Sequence, residues 1–177
     1  PATSNTLTMT VNPNLPVSVI VAGDTTICAG ANAIFTATPT NGGSTPAYQW
    51  QVNGVNVGTN SNTYSSTTLA NSDAVTCILT SNAVCPTGNP ATSNTLTMTV
   101  NSLPDTSSIT GLNSVCNNQT GVNYSVTNTS GSTYLWTVPS GASITAGVNT
   151  NSITVTFGTT SGTVSVTETN TFGCIGT

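Results

Sequence analysis

The sequence has 177 residues with no Lys, Arg or His, and its four carboxylates give a formal net charge of −4. General acid–base catalysis, activated nucleophiles and metal sites depend on titratable or ligating side chains placed close together, so this composition argues against an enzyme, a metal and a cofactor. Binding to nucleic acid or anionic lipid requires Lys and Arg, and a membrane-spanning helix requires ~18 consecutive apolar residues. We therefore expect no nucleic-acid partner and no direct membrane insertion.

The chain begins with a segment that it later repeats. Residues 1–11 return letter for letter as residues 90–100, which marks the sequence as part of a repeat array. The alternation of Thr with apolar residues predicts a half-buried β-strand. The second copy closes a stretch of domain length, whereas the first has no domain before it. We expect residues 1–12 to be the closing strand of a preceding domain or copy, with an inter-copy strand formed by Thr6, Leu7, Thr8, Met9, Thr10 and Val11.

Residues 13–101 are predicted to form the first full β-sandwich. Turn-forming Gly and Asn residues separate its predicted strands, at 17–21 with 25–28, 33–38, 48–52, 73–80 and 95–100. Trp50 lies in the third strand, just before an Asn-Gly turn, and is expected to anchor the core. This segment resembles strand C of an immunoglobulin-like domain, and residues 73–77 resemble the start of strand F. Val75 replaces the family's Tyr and Ala37 its partner Cys, so we expect Cys77 to be a buried thiol.

Residues 102–177 are predicted to form a second sandwich, with Trp136 as its core anchor. We expect strands at 109–116, 122–127, 134–138, 153–157 and 163–170, with apolar and hydroxyl-bearing residues alternating most plainly at 152–157 and 163–167. Residues 134–142 and 151–158 resemble the PKD-like β-sandwiches that occur in tandem in large surface adhesins of Bacteroidota. The expected fold class is all-β: two tandem antiparallel β-sandwiches, immunoglobulin-like and then PKD-like, with a lone N-terminal strand that completes a neighbouring copy.

The second sandwich is expected to lack its closing strand, because the sequence stops where that strand should follow. Unpaired backbone groups at a sheet edge favour the addition of a strand. The predicted acceptor strand consists of Thr163, Val164, Ser165, Val166 and Thr167. We expect residues 6–11 of a neighbouring copy to lie antiparallel to it, by covalent continuation of a tandem array or by donation between separate chains. An unrelated immunoglobulin-like domain in front of residues 1–12 is the third alternative.

Four of the five cysteines recur at corresponding places in the two domains. Cys28 and Cys116 precede the second strand of their domains, whereas Cys85 and Cys174 precede a closing strand or the place expected for one. Recurrence in pairs predicts a disulfide framework in an exported protein. Three arrangements remain open: pairs within each domain (Cys28 with Cys85, Cys116 with Cys174), pairs between domains stacked head to tail (Cys28 with Cys174, Cys116 with Cys85 of the next copy), and buried free thiols.

A surface of Thr, Ser and Asn with little charge, and short linkers that contain Pro, predict a semi-rigid rod that associates end to end. The expected function is a structural repeat unit of an extracellular filament or giant surface adhesin, with other copies of itself as partners. The alternative is a secreted carbohydrate- or protein-binding β-sandwich module that contacts surface glycans or proteins through Tyr48 or Tyr64.

Overall fold

The computed structural model describes residues 1–176 and contains only strands, turns and loops in that range. The chain divides into two compact units, Pro1–Val100 and Asn101–Thr177, which we call domain one and domain two. Both are built mainly from antiparallel sheets, which confirms the predicted all-β fold class. No helix in the described part of the chain could span a membrane.

Two sheets and two short strand pairs make up domain one. One sheet has the order β2-β4-β7, and the other has the order β10-β8-β5-β6 with β11 also paired to β8. β1 pairs with β9, and β3 pairs with β12. The strands are β1 (Leu15–Pro16), β2 (Ser18–Gly23), β3 (Thr26–Cys28), β4 (Ala33–Thr40), β5 (Ala47–Val52), β6 (Val55–Val57), β7 (Thr63–Ser66), β8 (Ala74–Thr80), β9 (Pro86–Thr87), β10 (Ala91–Thr92), β11 (Leu96–Thr97) and β12 (Thr99–Asn101).

The core of domain one lies between its two sheets because each central strand alternates buried and exposed residues. β4 buries Ala33, Phe35 and Ala37 and exposes the residues between them. β8 buries Val75, Cys77 and Leu79 from the opposite sheet, in the same cluster. Successive side chains of a strand point to opposite faces, so this alternation puts the hydroxyl-bearing residues of β4 in water.

Domain two repeats the two-sheet plan with fewer strands. One sheet has the order β13-β14-β17-β16, and β15 pairs with β18 in the other. The strands are β13 (Thr110–Gly111), β14 (Val122–Ser125), β15 (Thr133–Thr137), β16 (Ser143–Ala146), β17 (Ser152–Thr156) and β18 (Ser165–Thr169). Buried aliphatic and aromatic residues from both sheets form its core.

One strand prediction for domain two is wrong in extent. The sequence predicts a strand over residues 109–116, but only Thr110–Gly111 pairs, with β14. Residues 112–116 follow as an irregular segment. The corresponding segment of domain one, β3, is a strand because β12 lies beside it. In the described residues of domain two no strand takes the place of β12, so residues 112–116 have no strand to pair with.

Candidate functional site: the closing groove of domain two

The closing strand of domain one, formed by β10, β11 and β12, shows what such a strand contributes. Met98 is 2% exposed and belongs to the core, and Leu96 and Val100 pack against that core. The Met98 N–H donates to the Asp73 carbonyl at 2.8 Å, and its carbonyl accepts from Ser72 at 2.9 Å. The closing strand therefore fills part of the apolar core and also forms hydrogen bonds with the backbone of the neighbouring segments.

Side chains extend these connections to the opposite sheet. The Asn94 side chain accepts a hydrogen bond from the Val21 N–H at 2.8 Å and donates to the Val21 carbonyl at 3.0 Å. Further along, the Thr99 N–H donates to the Thr25 carbonyl at 2.7 Å. The closing strand thus runs from β8 across to β2 and β3 and joins the two sheets.

Residues 1–11, which we call the donor segment, have the same sequence in a different environment. Residues 1–14 lie outside every strand of the structure, and all of them are exposed. Leu7 is 81% exposed, Met9 75% and Val11 92%. These residues correspond to Leu96, Met98 and Val100, whose side chains are buried or packed against the core of domain one.

The predicted acceptor strand lies mostly within β18. β18 begins at Ser165, and all five of its residues pair with β15. Trp50 faces Cys77 across β5 and β8, and Trp136 faces Val166 across β15 and β18, so Val166 corresponds to Cys77. By the same register Val164 corresponds to Val75, which pairs with Leu96 of the closing strand. Thr163 and Val164 precede β18, and Val164 packs against the core.

The second edge of β18 is paired at one end only, within the described residues. A bridge joins Thr169 to Ile175, and the Gly176 N–H donates to the Glu168 carbonyl at 2.8 Å. Residues 174–176 therefore turn back antiparallel to β18. From Ser165 to Thr167, the described part of domain two places no strand on this edge.

An open cavity of about 450 Å³ lies at the start of β18, where Val164 is part of its lining, and we call it the closing groove. Its lining comes from two segments, residues 109–117 and 157–164, together with Tyr124 and Pro139. The apolar part includes Val115, Tyr124, Phe157 and Val164. These segments correspond to the part of domain one that holds Met98, between Thr25 and the residues just before β8. The groove therefore occupies the place of a closing strand.

Hydrogen bonds and ring packing hold the walls of the groove. The Tyr124 hydroxyl donates to the Leu112 carbonyl at 2.8 Å, and its ring packs edge-on against Phe157 at a centroid distance of 6.1 Å. Gln119 accepts from the Cys116 N–H at 2.8 Å through its side chain and from the Phe157 N–H at 2.9 Å through its carbonyl. These contacts fix the walls of the groove, which lowers the conformational cost of binding a strand there.

Glu168 is a buried carboxylate of β18 whose burial sequence reasoning missed. It is 1% exposed and lies on the core side of β18, at the position of Leu79 in domain one. Thr106 donates to Glu168 Oε2 at 3.2 Å, and Oε1 has no hydrogen-bond partner among the described residues. Alternation along 163–170 places Glu168 in register with Val164 and Val166, and this signal could have predicted its burial.

The predicted core anchors have matching environments. Trp50 is fully buried and donates its indole N–H to the Ser61 carbonyl at 2.9 Å. Trp136 is 7% exposed and donates to the Thr150 carbonyl at 2.8 Å. Tyr64 stacks against Trp50 and Phe35 at 5.7 and 6.0 Å, and Tyr48 also packs against the core. The two tyrosines considered for ligand contact therefore serve the packing of domain one.

The five cysteines fall into two groups. Cys28 and Cys174 are disulfide-bonded, whereas Cys77, Cys85 and Cys116 are free thiols. Cys77 is buried, and burial raises the pKa of its thiol from 9.0 to about 11. Cys85 and Cys116 are exposed. The pairing of Cys28 with Cys85 and of Cys116 with Cys174, considered from the sequence, is therefore not present. Cys85 lies in the loop after β8, whereas β3 with Cys28 lies beside β12 at the end of the closing strand.

Comparisons with known proteins give a family match for domain two. Residues 102–177 match the family model of the PKD-like domain. No curated protein matches the sequence. Among solved structures, a marsupial T cell receptor is similar with a TM-score of 0.38 and 12% identity, over 86% of this chain and 66% of the receptor chain. The chain thus spans just under two thirds of that receptor chain. Domain two is thus similar to a PKD-like domain, and both domains are all-β.

Proposed function

We propose that this chain is a structural repeat unit of an extracellular filament or giant surface adhesin, in which successive copies are linked end to end by strand completion. The donor segment of one copy fills the closing groove of domain two in the preceding copy and lies antiparallel to residues 163–167. One observation carries the proposal. The same residues that close domain one from within are exposed at 1–11, while domain two has a groove at the position of a closing strand.

The apolar surface of the donor segment supplies the driving force. Full burial of a Leu, Met or Val side chain contributes roughly 1.5–3 kcal/mol. The donor segment offers Leu7, Met9 and Val11, and the groove offers Val115, Phe157 and Val164. Main-chain hydrogen bonds to the free edge of β18 add affinity and direction, as in other cases of strand addition. Electrostatic repulsion between copies is small because the formal net charge is only −4.

Covalent continuation is the form of linkage that the course of the chain favours. Residues 174–176 already run back antiparallel to β18, toward the part of its edge that is unpaired in the described residues. A closing strand that follows in the same polypeptide continues in this direction. Donation between separate chains uses the same groove and the same donor side chains, so a shortened or recombinant chain should associate through identical contacts.

The chemical environment fits an exported, non-catalytic module. The disulfide-bonded state of Cys28 and Cys174, together with the similarity to a PKD-like domain, supports an oxidising, extracellular location. The whole sequence contains four acidic residues and no His or Lys, so it offers few groups for general acid–base catalysis. We place the protein outside the cell, with further copies of itself as its partners.

Sedimentation equilibrium of the 177-residue chain and two variants tests the proposal. Met9→Asp puts a charge on the core-facing side of the donor segment, and Thr8→Asp puts the same charge on the opposite side, since Thr97 is exposed where Met98 is buried. We expect the unchanged chain and Thr8→Asp to associate with rising concentration, and Met9→Asp to associate at least about tenfold more weakly. Equal association of both variants, or a strictly monomeric unchanged chain, would contradict strand completion.

A further inference from the structure

The oxidation states of the cysteines follow their positions in the domains. Cys28 and Cys174 are disulfide-bonded. Cys28 is of the type that precedes the second strand of its domain. Cys174 is of the type that precedes the place of a closing strand. The two cysteines left as exposed thiols, Cys116 and Cys85, again comprise one of each type. Each type therefore has one member that is disulfide-bonded and one member that is an exposed free thiol.

Cys85 and Cys174 each lie near the place where the chain begins its domain. The Leu15 N–H donates to the Cys85 carbonyl at 3.0 Å, so the first strand of domain one starts beside Cys85. In domain two, Asn170 accepts from the Cys174 N–H through its side chain at 3.0 Å and donates to the Ser102 carbonyl at 2.9 Å. Cys85 and Cys174 are thus equivalent in structure as well as in sequence order.

Cys28 and Cys116 lie at the other end of their domains, where a closing strand finishes. Cys28 ends β3, which pairs with β12, the last part of the closing strand. Cys116 lines the closing groove at the end of the segment that corresponds to β3. A donor segment in this groove, placed as β12 is placed in domain one, brings Thr10 to Asn12 beside residues 112–116.

The linker then carries the chain from this position to Cys85 of the incoming copy. Asn12 and Leu15 are three residues apart, and an extended chain covers at most about 3.3–3.6 Å per residue, or about 10 Å in all. Leu15 touches Cys85, and Asn12 lies next to Cys116 of the preceding copy under strand completion. A disulfide requires Cα atoms ~4.4–6.8 Å apart. The short reach from Asn12 to Leu15 allows the Cα atoms of Cys116 and of the next copy's Cys85 to come this close.

We propose that Cys116 of one copy and Cys85 of the next copy form a disulfide that locks each junction between copies. This inference rests on the proposed strand completion for its geometry. The bond forms by thiol–disulfide exchange with an external disulfide oxidant of the exported environment. One thiolate attacks the oxidant and gives a mixed disulfide, and the second thiolate then displaces the oxidant's sulfur. The two thiols lose two protons and two electrons, and the two sulfurs of the oxidant leave as thiols.

Two variants that each keep one exposed thiol separate this specific bond from random cross-linking. Cys85→Ser keeps Cys116, and Cys116→Ser keeps Cys85, while both retain the buried Cys77. Each variant is incubated alone, and both are mixed in equal amounts, in a glutathione redox buffer. We expect the mixture to give a disulfide-linked dimer at least about tenfold more abundant than either variant alone. Mass spectrometry after digestion with chymotrypsin should then show the Cys85 and Cys116 peptides linked to each other.

Further variants keep failure of this inference distinct from failure of the proposed function. Cys77→Ser is the matched control, and it should leave the cross-linking of the otherwise unchanged chain as it is because Cys77 is buried. Sedimentation of the double variant Cys85→Ser, Cys116→Ser measures strand completion without either thiol. If that variant associates but the mixture gives no linked dimer, or each single variant dimerises alone as readily as the mixture, only the disulfide inference is overturned. If the double variant does not associate, the strand-completion proposal fails, and this inference fails with it.

Discussion

Residues 90–100 and residues 1–11 are identical in sequence and opposite in environment. In domain one the segment runs between β8 and β3, with Met98 in the core and hydrogen bonds to both sheets. At the start of the chain the same residues lie outside every strand, with Met9 75% exposed. Propensity is the same in both copies, so the difference comes from the neighbours. A strand of this kind depends on a sheet edge and an apolar groove that accept it.

Domain two shows the complementary side of this comparison. β8 in domain one has β5 on one edge and the closing strand on the other, whereas β18 has β15 on one edge and only a short return at Ile175 on the other, within the described residues. The segment beside β12 is a strand in domain one, and residues 112–116 are irregular in domain two. The presence or absence of one strand therefore accounts for both differences.

The largest expected effect comes from truncating the same side chain in the two copies. Met98→Ala removes a fully buried side chain from domain one and should lower its free energy of unfolding by about 2–5 kcal/mol. Met9→Ala changes an exposed residue and should alter the stability of the dilute chain by less than about 0.5 kcal/mol. Urea denaturation monitored by Trp fluorescence measures both. Equal losses would mean that the two segments have the same environment.

A smaller effect is expected from the asparagine that joins the sheets. Asn94→Ala removes two hydrogen bonds to the Val21 backbone and should cost domain one about 1–3 kcal/mol. Asn5→Ala, its counterpart in the donor segment, should leave the unfolding of the dilute chain unchanged and weaken only association. The same denaturation series, with sedimentation at higher concentration, distinguishes the two. A stable Asn94→Ala domain would show that the bridge from Asn94 to Val21 contributes little.

The pH dependence of domain one should reveal the buried thiol of Cys77. Burial raises the thiol pKa from 9.0 to about 11, so the folded state holds its proton more tightly than the unfolded state. Stability from this group is fully present below pH 9 and is lost as pH rises through 11, on the order of 2 kcal/mol. Cys77→Ala should remove this part of the decline between pH 9 and 11 in denaturation curves. An identical decline in the variant would assign it to other groups, such as Tyr48, whose pKa burial also raises.

The fold was predictable because alternation is strong in both domains. Strands over residues 33–38, 48–52 and 153–157 appear in the structure at nearly the predicted bounds, since each buries alternate apolar residues on a central strand. The strand at 109–116 was not predictable from its own pattern, because its pairing depends on a neighbour.

The closing groove and the oxidation states of the cysteines could not be predicted from the sequence. The repeat of residues 1–11 pointed to an acceptor, but the cavity between Val115 and Val164 follows from the packing of Tyr124 and Phe157. Cysteine spacing likewise marked four candidates without showing which are oxidised, because a disulfide depends on distances between segments remote in sequence.

Hydrogen exchange of the donor segment tests strand completion most directly. A conservative Thr8→Ser change gives the peptide that contains Met9 a mass different from its twin around Met98, so mass spectrometry can follow both in one sample. In the dilute chain we expect the Met98 and Thr99 amides to be protected, because they donate to Asp73 and Thr25, and the Met9 and Thr10 amides to exchange freely. In the assembled protein, strand completion predicts that Met9 and Thr10 become protected together with the edge at residues 163–167. Free exchange of Met9 and Thr10 in the assembly would contradict it.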